Sequence, residues 1–128
     1  MTDPLQAAAL AARENAHAPY SKFRVGAALE DASGRVHTGC NVENATYGLT
    51  LCAERVAVFK AISEGVREFR RIAIAADTET LTPPCGACRQ ILWEFCGNIE
   101  MVLLNLRGQS EVVWLKDLFP RAFDASFL

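Results

Sequence analysis

The spacing of apolar positions changes repeatedly along this chain, and each change marks a new element. Ala7-Ala8-Ala9-Leu10-Ala11-Ala12 has a helix-forming composition, and Asp3-Pro4 before it supplies an N-cap and a proline at the first helical position. A helix is therefore predicted to about Ala16, followed by a loop over His17 to Lys22 that holds Pro19. Val25 to Glu30 and Val36 to Val42 read as strands joined at Ala32-Ser33-Gly34, a hairpin signal. The polar stretch Glu43 to Thr50 leads into a helix from about Cys52 to Glu64, which Gly65 ends. Arg71 to Ala76 is a short, almost unbroken apolar strand, and Thr78 to Pro84 is a loop. From Cys85 to Phe95 the spacing of Ile91, Leu92 and Phe95 is helical again, with Gly97 as its stop. Met101 to Leu106 and Val112 to Leu115 are further strands, and Lys116 to Leu128 is a short helical turn broken by Pro120 before an apolar tail.

Strands joined through helices imply some parallel pairing, and the hairpin adds an antiparallel pair. The order predicts a mixed five-stranded sheet with helices on both faces, a three-layer α/β/α sandwich. At 128 residues, with no repeat, linker or break in composition, the chain reads as one continuous domain, 1–128. It is 51% hydrophobic and 22% charged, too apolar for disorder. The longest strand-like apolar run, Ile72 to Ala76, is far short of the ~18 residues of a membrane span. No basic region precedes the N-terminal alanines, so no secretory leader is expected. A net charge of −2 disfavours a polyanion partner, and Arg67, Arg70 and Arg71 read as a solvated face.

The five cysteines change the picture most. An odd count without a leader argues against a disulfide scaffold and for metal binding or catalysis in a cytoplasmic chain. Cys85-Gly86-Ala87-Cys88 is a C-x-x-C pair at a predicted helix start, and Cys52-Ala53-Glu54-Arg55 opens the helix before it. Helix N-termini favour thiolates, and two converging N-termini would bring three of them to one Zn²⁺. A redox C-x-x-C leaves Cys52 and Glu54 unexplained. A closed structural zinc site would need Cys40, Cys96 or a histidine as fourth ligand; Cys96 closes the same helix too far away, and Cys40 sits in a strand where a small packing residue is expected. His17 and His37 read as surface or strand residues. A catalytic zinc with an open position fits best, with Glu54 as its proton carrier. For Cys52 and Glu54 to reach one point, Cys52 must sit at the helix start with non-helical dihedrals. Arg55 is suited to offset the excess thiolate charge; Arg89 is either a second such cation or an exposed helix arginine.

On Cys52-Ala53-Glu54-Arg55 and Pro84-Cys85-Gly86-Ala87-Cys88-Arg89, together with Tyr20 to Ala28 and Gly39 to Ala45, the sequence resembles the short, three-cysteine form of cytidine deaminase. The resemblance covers nearly the whole chain, with its motifs in order. It implies hydrolytic deamination of cytidine and deoxycytidine with loss of ammonia, in pyrimidine salvage. One zinc per subunit would be held by Cys52, Cys85 and Cys88, and Glu54 would carry protons to the base. By the same resemblance Asn41 and Glu43 bind the ribose hydroxyls, Phe23 packs on the pyrimidine and the Ala53 backbone meets its amide edge. The resemblance further implies a homotetramer in which Phe123, or alternatively Phe127, completes a neighbour's site. Another aminopyrimidine nucleoside or nucleotide as substrate and a zinc-stabilised binding module remain the competing readings.

Overall fold

The computed structural model describes residues 3–128. Helix α1 (Pro4–Arg13) begins where expected: Asp3 is its N-cap, and the carboxylate accepts from the Leu5 amide at 3.0 Å. Strands β1 (Val25–Asp31) and β2 (Val36–Cys40) follow, then α2 (Ala53–Ser63), β3 (Phe69–Ala76), α3 (Gly86–Cys96), β4 (Glu100–Leu104), β5 (Ser110–Trp114) and the single-turn α4 (Leu115–Leu118). The sheet order is β2-β1-β3-β4-β5. Only β3 and β4 pair in parallel, as the α3 crossover between them requires; the other neighbours are antiparallel. This is the predicted mixed sheet with helices on both faces.

Alternation along the strands divides the core in two. Val25, Ala27, Leu29, Ile72, Ile74, Met101 and Leu103 face α2 and α3. Ala28, Ala73, Ala75, Val102 and Leu104 face Leu5 and Ala9 of α1. Each fully buried Leu or Ile here contributes about 1.5–3 kcal/mol. Two glycines set how closely the helices lie. A Cβ on Gly39 would meet the Ala53 carbonyl and the Ala57 amide of α2 at 2.5 Å, and one on Gly26 would meet the Ala9 carbonyl of α1 at 2.1 Å. The first of these contacts brings the start of α2 down onto β2.

Several boundaries differ from the sequence reading, each for a local reason. Strand β2 stops at Cys40, because Val42 instead bridges to His17 and Leu51. Strand β4 ends at Leu104, since the Asn105 carboxamide oxygen accepts from the Arg107 and Gln109 amides and reverses the chain. Helix α1 ends at Arg13 rather than near Ala16. Arg71 is not part of a solvated face: it is half-buried and pairs with Asp3 at 2.7 Å and with Glu30 at 3.4 Å, tying the start of α1 to the sheet. His37 lies on β2 as expected but is buried, 2.9 Å from the Asp31 carboxylate.

Candidate active site

Two helix starts on the same face of the sheet make the site. Cys52 is the N-cap of α2, with φ −75° and ψ 156°, and Cys85 is the N-cap of α3, with φ −66° and ψ 170°. The non-helical start demanded of Cys52 is therefore present. Neither thiol caps its own helix; both point to a common place, where Cys88 joins them from the first turn of α3. The Sγ atoms of Cys85 and Cys88 are 3.4 Å apart, those of Cys52 and Cys85 3.9 Å, and all three lie within 4.8 Å of one another. Sulfurs at about 2.3 Å from a tetrahedral zinc are about 3.8 Å apart, so the donor set fits that ion in both spacing and softness. Cys40 and Cys96 are outside the cluster. Burial pushes the Cys96 thiol up to about 12, which keeps it protonated and inert.

The charges around the thiols are uneven. Cys52 is drawn down to about 5 by the hydrogen bond with Cys88 and by the Arg55 guanidinium beside it. The same contact, with burial, drives Cys88 upward. Arg55 Nη2 donates to Cys52 Sγ at 3.5 Å, as the charge argument required. Arg89 satisfies neither reading offered for it: it is half-buried, and its Nε and Nη1 donate to the carbonyls of Pro84 and Leu118. Glu54, in the first turn of α2, is buried beside the cluster with only 5% exposure. Desolvation lifts its carboxyl to about 7, and the Cys52 charge adds to the push.

Cys52, Cys85 and Glu54 line a cavity of about 230 Å³ together with Phe23, Asn41, Glu43 and Ala53. The structure thus brings together every sequence-predicted site residue except Phe123; Cys88 and Arg55 join through their contacts with Cys52 and Cys85 and do not line the cavity. Phe123 is exposed beside α3, its ring stacked on Phe127 at 5.7 Å and its carbonyl accepting from Gln90. Asn41 is largely committed to the backbone: it accepts from the Val25 amide at 2.9 Å and donates to the Phe23 carbonyl at 2.7 Å. Glu43 accepts from the Tyr20 and Ser21 amides and from the Ser21 hydroxyl, contacts that hold its carboxyl below the usual range. Both residues shape the loop that presents Phe23. Ser21, Thr50 and Thr82 also line the cavity, unpredicted. Ser21 could have been suspected only from its place in the Tyr20-Ser21-Lys22-Phe23 run.

Residues 2–104 match the family described as the cytidine and deoxycytidylate deaminase zinc-binding region. The chain belongs to this family. It is 53% identical over 113 residues to a cytidine deaminase of Sporosarcina psychrophila, covering 88% of this chain and 83% of the relative. With that of Halalkalibacterium halodurans it shares 52% over 118 residues, or 91% and 89% of the two chains. Its fold superposes on a crystal structure of cytidine deaminase from Burkholderia pseudomallei with a TM-score of 0.91 at 51% identity, covering 96% and 100% of the chains. The Mycobacterium tuberculosis cytidine deaminase gives a TM-score of 0.80 at 41% identity, covering 94% of each. Membership makes the chain a zinc-dependent deaminase, and the cysteine cluster has the donors such a family needs. Among the described residues, no helix is long and apolar enough to cross a membrane.

Proposed function

We propose that the chain hydrolyses cytidine and deoxycytidine to uridine and deoxyuridine, releasing ammonia, and that residues 1–128 act as one catalytic domain. The observation that carries this reading is a buried carboxylate, Glu54, lining with Cys52 and Cys85 of the three-thiol cluster a cavity sized for a pyrimidine. Cys52, Cys85 and Cys88 hold the zinc, which supplies Lewis acidity toward water at neutral pH. Glu54 takes one proton from the attacking water and delivers it to N3 of the base; it then takes the remaining proton from the hydroxyl now on C4 and passes it to the amine, which leaves as ammonia as the C4 carbonyl forms. Its burial suits this shuttle, because a side chain with 5% exposure passes its proton within the site and not to bulk water.

Phe23 packs against the pyrimidine face, and the Ala53 backbone meets its amide edge. Asn41 and Glu43 face the ribose with hydrogen-bonding capacity left after their contacts within the protein: a second N–H on the Asn41 amide, and a carboxylate lone pair beyond those used by Tyr20 and Ser21. A carboxylate at that end disfavours a 5′-phosphate and supports a free nucleoside as substrate. The basic track a polynucleotide would need is missing from the composition.

Exposed Tyr47, Leu49, Phe123 and Phe127 support a homotetramer in which Phe123 reaches a neighbouring subunit's cavity. A cytoplasmic role in pyrimidine salvage accords with unpaired cysteines in a family of nucleoside and nucleotide deaminases. The deciding test is an ultraviolet assay of cytidine, deoxycytidine and their monophosphates, with and without a chelator. Turnover of the nucleosides that a chelator abolishes is expected; turnover of the monophosphates alone would overturn the substrate assignment.

A further inference from the structure

Helix α3 carries two of the clustered cysteines at its start, and its next turn holds the C-terminal segment. Gln90 Nε2 donates to the Phe123 carbonyl at 2.9 Å, and Trp93 Nε1 donates to the Asp124 carboxylate at 3.2 Å. Arg89 Nη1 donates to the Leu118 carbonyl at 2.6 Å. Of these three, only Arg89 also reaches back toward the cysteines: its Nε donates to the Pro84 carbonyl at 2.8 Å. Pro84 is fully buried and directly precedes Cys85.

We propose that Arg89 is a positioning residue that couples the seating of the C-terminal segment to the geometry of the cysteine cluster, an inference that rests on reading the cluster as the zinc site. The guanidinium is planar and its N–H groups diverge at fixed angles, so both carbonyls are held to one rigid fork. The Pro84 carbonyl lies in the same peptide plane as the Cys85 nitrogen, so its tilt sets how the chain enters Cys85. Proline has no N–H, which leaves this carbonyl as the residue's only main-chain hydrogen-bonding group. A shift of Leu118 therefore turns the fork and, with it, the peptide that aims Cys85. Coupling of this kind is reciprocal: metal binding must steady the C-terminal segment as much as that segment steadies the metal site.

The test begins with metal analysis of the wild-type protein. It continues with the rate of zinc transfer to a chromogenic chelator and with hydrogen exchange of amides 118–124, in wild type, R89M, R89K and Q90A. R89M is expected to release zinc about tenfold faster, in line with other residues that orient ligands from behind. Its C-terminal amides should exchange faster, and their exchange should no longer respond to zinc removal. R89K reaches one carbonyl but not both, so it should also lack that response. Q90A should loosen only the region of Phe123 and keep wild-type zinc release. In the wild type, zinc removal should speed exchange at 118–124 and leave the α1 amides unchanged, a measurement that needs no variant to fold.

Unaltered zinc release in R89M, wild-type behaviour in R89K, or a C-terminal segment indifferent to zinc would each overturn the coupling. So would acceleration that extends to α1, which would mean general loss of the fold. A wild-type protein that holds no zinc would bring down the metal reading together with the coupling, whereas zinc held normally by R89M defeats the coupling alone.

Discussion

The Arg55 guanidinium bridges the Cys52 sulfur, 3.5 Å from Nη2, and the Thr50 carbonyl, 3.2 Å from the same nitrogen. The carbonyl aims the cation and the sulfur receives it. Three thiolates against a divalent zinc leave a formal charge of two minus three, or minus one, on the cluster. Arg55 offsets that excess, and the contact raises its own pKa in return. A charge-assisted hydrogen bond contributes about 1.5–3 kcal/mol, so Arg55→Gln should lower kcat about 10- to 100-fold while KM changes less. Steady-state kinetics with cytidine decide this, and an unchanged kcat would refute the assignment.

Glu54→Gln keeps the shape of the buried side chain and removes its proton chemistry. The rate should fall by about 10²- to 10⁴-fold with zinc content unchanged. Metal analysis and turnover on the same sample separate the two possibilities: full activity in a zinc-loaded variant would mean that the carboxylate only packs.

Asn41 spans the Phe23 carbonyl and the Val25 amide from a buried position. Asn41→Asp retains the acceptor for Val25 but sets a carboxylate oxygen against the Phe23 carbonyl. The cost should be about 1–3 kcal/mol, read as a lower denaturation midpoint with an unchanged slope. KM should rise as the Phe23 loop shifts; a variant with wild-type stability would show that these contacts are dispensable.

The β1–β2 turn is organised by one carboxylate. Asp31 is hydrogen-bonded to His37, to the Ser33 hydroxyl and to the Ser33 and Arg35 amides, and the His37 contact is the foremost reason its pKa lies well below the usual value. Because the folded value is the lower one, the unfolded chain binds more protons in acid. The stabilisation is complete above the ordinary Asp pKa of about 3.9 and is lost as pH falls toward the folded value. The melting temperature should therefore drop more steeply as pH falls from about 4 to about 2 in the wild type than in Asp31→Asn. Parallel curves would rule this out.

Residues whose roles are local were legible in the sequence. Asp3 caps α1 because N-cap chemistry depends only on its neighbours, and Cys85 with Cys88 converge because three residues make nearly one helical turn. Cys52 joins them in the sequence only through the family motif and the expectation that two helix starts converge; the convergence itself depends on how α2 and α3 pack, 33 residues apart in the chain. The pairing of Arg71 with Asp3 spans 68 residues, and no periodicity announces it. Asn41 and Glu43 are singled out in the sequence by the family motif alone, and their commitment to the Phe23 loop depends on how β2 ends against β1. Arg89 was the least legible, because both of its partners are backbone carbonyls and carry no side-chain signature.

Cys52 and Cys85 are 33 positions apart, and each stands at the mouth of a different helix. Neither helix alone presents more than part of the donor set. As the chain emerges during synthesis, a nascent protein ending before Cys88 can have its hairpin, α2 and β3 in place and still lack a site for the ion. The three-thiol site is complete only when α2 and α3 are packed side by side, so binding at that site and this packing are coupled. The complete donor set thus exists only where the two helix starts have met, so the site for the ion is a product of tertiary packing and not of either helix.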